Sequence, residues 1–304
     1  MKNEHLPIYC NKRNFLGKKD LVVSFYTKRC RYGKCTFCAI PSRSSERNVS
    51  PDDIKFQIDW VWDKYKSEID SFEQFSFGND GSILDEATFP DNLLDYLIDK
   101  INQCKKAQVL SLETRAEYIQ EERIKNIIKK FKGNVTDVTV GLETQDDEIR
   151  NKILNKGLSK ELFESKVAIL GNLGVRLTSY VMLKPSPYMS EDDGIREAEK
   201  TVAYLKETAS KNNVDLIIYL CPTYIAKNSD LAKLMYENKY EPPEYASVLR
   251  IVEYCHKLKI SVYTGLWSEG LAEPYCVCKA DSDEEKKIRE KILDFNKSVT
   301  ELVQ

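Results

Sequence analysis

Short apolar, β-branched runs recur along this chain, and helical patterns lie between them. The runs cover residues 21–27, 72–78, 109–114, 135–143, 175–183 and 214–222. Each has strand length, and several read as strands buried on both faces. After the first run, Ser50 and Pro51 form an N-cap followed by proline at the first helical position. Ile54, Ile58, Val61, Trp62, Tyr65 and Ile69 then follow at three- and four-residue steps, as one apolar stripe. Residues 89–101, 121–131, 159–173 and 192–209 give further helices, with Gly174 as a stop after Leu173.

Six strand–helix units predict an α/β fold built on a parallel sheet. Right-handed crossovers either curl such a run into a barrel or wind it into an open sheet. Six units are too few for a closed eight-fold barrel. The expectation is a partial (β/α)6 TIM-like barrel, with an open doubly wound sheet as the alternative. The pattern changes after residue 235. Residues 240–245, Tyr-Glu-Pro-Pro-Glu-Tyr, make a stiff turn, and 245–258 read as a helix. Residues 260–266 are a seventh strand candidate, and 282–302 form a charged amphipathic helix with a solvated face. The chain thus divides into a basic N-terminal arm (1–20), the barrel (21–235) and a small C-terminal α/β extension (236–304).

An apolar fraction of 42% and a charged fraction of 31% permit a sizeable core and argue against disorder. No apolar run approaches the ~20 residues that cross a bilayer. The first residues lack the apolar centre of a signal peptide, so a cytoplasmic protein with no membrane partner is expected. The net charge of -2 is unevenly spread: residues 1–45 hold ten Lys and Arg against Glu4 and Asp20. That basic segment either offsets a negatively charged metal cluster or meets an anionic substrate such as RNA.

Nine cysteines, an odd number at uneven spacing, do not make a disulfide framework. Cys104 and Cys255 fall in helical patterns and Cys221 ends a strand, where small buried hydrophobes are expected. Three others crowd the loop after the first strand, in Cys30-Arg-Tyr-Gly-Lys-Cys35-Thr-Phe-Cys38. Three thiolates on one short loop make a soft-metal site. With no evident fourth cysteine, one metal position stays open to chemistry.

Parallel α/β folds gather ligands at the carboxyl ends of their strands. Here those ends carry the cysteine loop, Gly78-Asn79-Asp80-Gly81-Ser82, Glu113 and Arg115, Glu143, Lys184, and Tyr224 just past Cys221. The strand bodies are expected to stay apolar. Glycines at 78 and 81 allow backbone to approach a ligand closely, although Gly-Asn-Asp-Gly is also a good turn sequence. Glu113 and Arg115 share one side of their strand. They either fix a ribose hydroxyl and a carboxylate or pair with each other.

The cysteine loop resembles that of radical S-adenosylmethionine enzymes, with one extra residue in its first gap. Phe37, the aromatic before the last cysteine, matches that pattern. The resemblance implies that Cys30, Cys35 and Cys38 hold three irons of a [4Fe-4S] cluster. It further implies that S-adenosyl-L-methionine chelates the fourth iron and is cleaved to a 5'-deoxyadenosyl radical. Gly78 to Ser82 would meet the methionine amine, and Glu113 the ribose. Arg115 and Glu143 complete the candidate cofactor contacts.

Residues 81–86, 113–118, 141–144, 183–187 and 240–245 resemble motifs of one subgroup. It includes the radical protein that works with archaeosine synthase on tRNA, and it is related to the elongator and methylthiotransferase branch. This likeness implies a small-molecule or tRNA-borne substrate cleaved at a carbon–nitrogen bond. It also implies a partner subunit and an electron donor such as flavodoxin or ferredoxin. Lys184, Tyr224 and Trp267 are the candidate substrate contacts, the first two as catalytic residues.

The competing reading is an interaction protein with a structural zinc completed by Cys10 or Cys276. Cys276 and Cys278 are too close in sequence for common zinc spacings. They are second-metal ligands, a redox pair or two plain thiols. His256, beside Cys255, reads as a surface or packing residue.

Overall fold

The computed structural model describes residues 6–38, 49–79, 81–222, 230–266 and 282–297. The strands are β1 (Tyr9–Phe15), β2 (Lys18–Phe25), β3 (Gln74–Asn79), β4 (Val109–Thr114), β5 (Val135–Glu143), β6 (Arg176–Leu183), β7 (Leu216–Pro222) and β8 (Ser261–Thr264). The helices are α1 (Pro51–Lys64), α2 (Asp91–Ile101), α3 (Glu121–Lys130), α4 (Lys160–Asn172), α5 (Glu191–Lys211), α6 (Asp230–Tyr236), α7 (Tyr245–Lys257) and α8 (Asp283–Phe295). Ser50 caps α1 with its hydroxyl on the Asp53 amide, and the Asp53 carboxylate returns the bond to complete a capping box.

One sheet holds all eight strands in sequence order. β1 pairs antiparallel with β2; every later pair is parallel. An order that never reverses has no switch point, and right-handed crossovers then place every helix on the same face. The helices accordingly pack on one another in turn, α1 on α2, α2 on α3, α4 on α5, α5 on α7 and α7 on α8. The sheet curls as the partial barrel expected, and the doubly wound alternative is set aside. The seventh strand candidate joins the same sheet as β8.

The two faces of the sheet differ. Leu21, Val23 and Phe25 of β2, Phe75 and Phe77 of β3, Leu110 and Leu112 of β4, and Val138, Val140 and Leu142 of β5 belong to the apolar core beneath the helices. The inner face is polar, which corrects the expectation of apolar strand bodies. Asp137 accepts from Ser111 at 2.7 Å, Thr178 at 2.9 Å and Arg176 at 2.7 Å. Asp20 accepts from Arg13 at 2.7 Å and Ser76 at 2.9 Å. Both carboxylates are buried, and each is matched by an arginine and hydroxyl donors, as burial of charge requires.

Asn296, past the end of α8, bridges the two edges of the sheet. Its carbonyl accepts from the Leu16 amide at 3.0 Å beside β1. Its side chain accepts from the Thr264 amide at 2.7 Å and donates to the Thr264 carbonyl at 2.8 Å on β8. Phe15 also stacks on Tyr263 across this seam at 4.6 Å. His256 packs on Phe295, as expected of a packing residue. Among the described residues, no helix is long and apolar enough to cross a membrane.

Candidate functional site

The cysteine loop leaves the carboxyl end of β2 and docks on the connector between β5 and α4. Gly33 takes φ 57° within the four-residue gap between Cys30 and Cys35. The turn needs glycine there, because a Cβ would lie 3.2 Å from the Cys30 carbonyl oxygen. Tyr32, in the same gap, donates its hydroxyl to the Asn155 carbonyl at 2.8 Å, and its ring lies over Gly157. The Thr36 amide and hydroxyl bond the Leu154 and Ile153 carbonyls at 3.1 and 2.8 Å. The extra residue of this loop is therefore part of a fixed turn.

The connector has its own anchor. A single π-helical turn, Ile149–Ile153, carries Arg150 into full burial. Its guanidinium binds the carbonyls of Leu158, Thr144 and Gln145 at 2.8, 3.0 and 3.1 Å, and it pairs with Asp147. Asn155 and Gly157 both have positive φ, 48° and 62°, and they turn Lys156 inward between them. The Lys156 ammonium binds Glu143 at 2.8 Å and lies 5.6 Å from the Phe37 ring centre. Burial opposes its charge, but Glu143 and the Cys35 sulfur more than offset this and hold it above the usual lysine range.

Glu143 ends β5 at φ 71°, where the register with β6 slips. A side chain at Gly141 would overlap its carboxylate, so the glycine makes room for the ion pair. Glu113 is held by the Tyr180 hydroxyl at 2.8 Å, and Gly78 lies against it, with an added Cβ only 3.3 Å from its carboxylate. Burial raises the Glu113 carboxyl above the usual range, against the pull of Tyr180 and Lys156. Arg115 does not pair with Glu113. It binds Glu117 at 2.5 Å and the Lys156 carbonyl at 2.9 Å, and its Nη1 lies 3.8 Å from the Cys35 sulfur. Its guanidinium also stacks on Tyr32 at 4.1 Å.

The glycine-rich segment is packed against the cysteine loop: a Cβ on Gly81 would sit 3.0 Å from Cys30 Cα. Asn79 accepts from the Gly81 amide at 3.0 Å, and Ser82 accepts from the Arg115 amide at 3.0 Å. These bonds fix the segment between β3 and β4. Cys30, Cys35, Cys38, Phe37, Gly78, Asn79, Gly81, Ser82, Glu113, Arg115 and Glu143 thus share the carboxyl end of the sheet.

Lys184 follows β6 at the same end of the sheet, with its side chain engaged elsewhere. Its ammonium pairs with Glu191 at 3.2 Å, and the Tyr240 hydroxyl binds its carbonyl at 3.3 Å. Asp80, Tyr224, Trp267, Cys276 and Cys278 lie outside the described residues. Cys10 faces the helix layer beside Tyr65, on the opposite side of the sheet from Tyr9 and Arg13, and burial pushes its thiol up to about 11. It is therefore not placed to complete a metal site with the cysteine loop. Cys104 and Cys255 are buried, as expected, whereas Cys221 is only partly so.

The sequence reading passed over Lys156, Arg150, Tyr32 and Tyr180. The signal for Lys156 was local: Asn and Gly flanking one Lys are the residue types that take left-handed backbone. Tyr180 shares the inner face with Thr178, a period-two signal hidden because the residue between them, Ser179, is polar too.

The donor set fits an iron–sulfur cluster. Three thiols share one fixed loop, and burial pushes the Cys35 thiol up while Lys156 and Arg115 pull it down toward the thiolate. Among the described residues, no three His, Cys, Asp or Glu side chains converge on a single metal ion.

The chain is similar to several known proteins. An uncharacterized protein of Methanocaldococcus jannaschii is 26% identical over 97% of this chain and 81% of its own length. The archaeosine synthase subunit beta of Methanosarcina acetivorans is 26% identical over 79% of this chain and 67% of its own. The structure of a queuine lyase from Clostridium spiroforme, bound to SAM and queuine, shares the fold. Its TM-score is 0.51 at 21% identity, covering 73% of this chain and 82% of that one. The sequence profile of the Radical SAM superfamily matches residues 24–193, more than half of the chain, from within β2 to the start of α5, and the chain belongs to that superfamily of enzymes.

Proposed function

We propose that Cys30, Cys35 and Cys38 hold a [4Fe-4S] cluster and that the chain uses S-adenosyl-L-methionine to break a carbon–nitrogen bond. The substrate would be a modified tRNA base or a related small molecule. One observation carries the cofactor reading: the cysteine loop, the Gly78–Ser82 segment and the Glu113, Arg115, Glu143 and Lys156 side chains meet at one end of the sheet. When bound, a reduced cluster would supply one electron to a carbon–sulfur bond of S-adenosylmethionine, releasing methionine and a 5'-deoxyadenosyl radical able to take a hydrogen from the substrate.

The chain's own residues do the rest. Arg115 and Lys156 offset the negative charge of the thiolates. Gly78 and Gly81 let backbone approach the methionine amine and carboxylate. Glu113, its carboxyl raised by burial, is suited to hydrogen-bond ribose hydroxyls. A curled sheet would help to keep water from a reactive species. Names of similar proteins support the substrate reading: one is a subunit of archaeosine synthase, and the other a queuine lyase. The first also supports a partner subunit. A one-electron donor of the flavodoxin or ferredoxin type completes the reaction.

The test is anaerobic reconstitution. Brown protein with about four irons per chain, releasing 5'-deoxyadenosine when reduced with S-adenosylmethionine, is expected. Colourless protein holding one zinc and inert to S-adenosylmethionine overturns the reading. Mass analysis of tRNA nucleosides and small metabolites, with and without the enzyme, then identifies the substrate.

A further inference from the structure

The lumen holds a cavity of about 80 Å³ that runs on from the candidate cofactor site, sharing Gly78, Asn79 and Glu113 with it. Its lining includes Tyr9, Arg13 and Phe15 from β1, Ser76 and Ser111 from the inner face, and Tyr219 from β7. β1 and β7 both lie outside the segment that the superfamily profile matches. This wall is built by parts of the chain that the shared superfamily segment does not include.

Arg13 is the prominent group there. Its Nε is fixed to Asp20 at 2.7 Å. Its guanidinium lies 4.6 Å from the Phe15 ring centre, 5.1 Å from that of Tyr263 and 5.7 Å from that of Tyr219. The plane is thus set, yet the terminal nitrogens are weakly used. Nη1 reaches the Tyr219 hydroxyl at 3.4 Å and Nη2 the Ser76 hydroxyl at 3.5 Å, both at the outer limit of a hydrogen bond. The side chain keeps 23% of its surface accessible.

The carboxylates nearest Arg13 are already engaged at both oxygens. Asp20 is engaged by Arg13 and Ser76. Asp137 is engaged by Ser111, Thr178 and Arg176. Glu113, at the cofactor end of the cavity, takes one bond from Tyr180 and is assigned above to the ribose. The cavity therefore has donors to spare, and a complementary ligand brings the acceptor. An arginine held in plane matches two in-plane oxygens or the two lone pairs of one carbonyl.

We propose that Arg13 reads the substrate: its terminal N–H groups hold an oxygen acceptor at the end of the substrate that enters the lumen, a carboxylate or a carboxamide carbonyl. Calling the occupant a substrate rests on the radical reading above; the binding chemistry does not.

The probes are acetate, acetamide and ethylammonium, added separately to the reconstituted full chain labelled with heavy nitrogen. For ligands this small, dissociation constants in the millimolar range are expected. Acetate or acetamide should bind saturably and move the Arg13 Nε–H resonance, and the tighter of the two tells a carboxylate source from a neutral carbonyl. Arg13→Lys keeps the charge beside Asp20 but loses the fork, and should weaken that binding about tenfold or more. Tighter binding of ethylammonium overturns the proposal. So does saturable binding with no shift at Arg13, the absence of binding by either oxygen probe, or an Arg13→Lys variant that binds as well as the parent. The wild-type resonance answers the question even where Arg13→Lys fails to fold. A chain that binds acetate through Arg13 but releases no 5'-deoxyadenosine keeps this proposal and loses the radical one.

Discussion

Lys156→Met offers a direct test of how the site is held together. The substitution keeps a long flexible side chain and removes the ammonium. In the native chain the Lys156 and Glu143 side chains are 10% and 5% exposed, and they are joined at 2.8 Å. Removing one partner strands a buried carboxylate, which in comparable pairs costs about 3–5 kcal/mol. The carboxylate has an escape, because it can take up a proton. For an ordinary glutamate at pH 7 that costs about 3.7 kcal/mol, from 1.36 kcal/mol for each of some 2.7 pH units above its reference value of about 4.3. The penalty therefore has a ceiling near 3.7 kcal/mol at pH 7, and that ceiling falls to about 1 kcal/mol at pH 5.

The sign follows from linkage. In the variant, a buried carboxylate with no partner cation is disfavoured in the fold relative to the open chain. Stability is then greatest below the open-chain glutamate value and is lost as pH rises. Urea unfolding of the cluster-free full chain at pH 5 and pH 7 measures this directly. Lys156→Met should lose about 3 kcal/mol at pH 7 and about 1 kcal/mol at pH 5. Adding Glu143→Gln should recover most of the pH 7 loss and remove its pH dependence. An equal penalty at both pH values, or a double variant that loses the sum of the singles, refutes the coupled buried pair.

Gly81→Ala should strain the cysteine loop against Cys30 Cα, lowering iron bound after reconstitution by about half or more while moving the thermal midpoint by only a few degrees, about 1 kcal/mol. Glu113→Gln removes a carboxyl whose folded pKa is raised by burial. Wild-type stability is penalised above the unfolded glutamate value, so the gain in melting temperature should grow as pH rises from about 4; a gain that is flat with pH counts against it. Asn296→Ala leaves the Thr264 amide and carbonyl without their bonds at 2.7 and 2.8 Å, and should cost about 2 kcal/mol in denaturant unfolding.

The parallel strands and most helices were legible because each apolar run was long, β-branched and bounded by clear stops. β4 and β5 coincide with their expected spans, residues 109–114 and 135–143. β1 was not legible. Its segment, Tyr-Cys-Asn-Lys-Arg-Asn-Phe, reads as a basic arm, because the carboxylate that neutralises Arg13 arrives seven residues later as Asp20 on β2. The polar inner face was missed for a related reason. Ser111, Asp137 and Thr178 satisfy one another only across neighbouring strands, and a run read by itself shows no such partner. The π-helical turn at Ile149–Ile153 has no period of its own, and α6 has only seven residues.

The division of the sheet has a chemical consequence on the reading proposed above. The superfamily segment, residues 24–193, contains the cysteine loop, Gly81, Glu113, Glu143 and Lys156. The far wall, with Arg13, Phe15, Tyr219 and Tyr263, lies outside it. A closed barrel would couple these walls through an unbroken hydrogen-bond ladder, so that a change of register in one would propagate to the other. Here β1 and β8 are the two edges of the sheet, joined by Asn296 and by ring contacts. Side chains on an edge strand can change without shifting the register of β2 to β6. The radical chemistry and the reading of the substrate are then carried by parts of one lumen that can vary separately. Substitutions at Arg13 should accordingly move substrate preference before they move iron content, and substitutions at Gly81 or Lys156 the reverse.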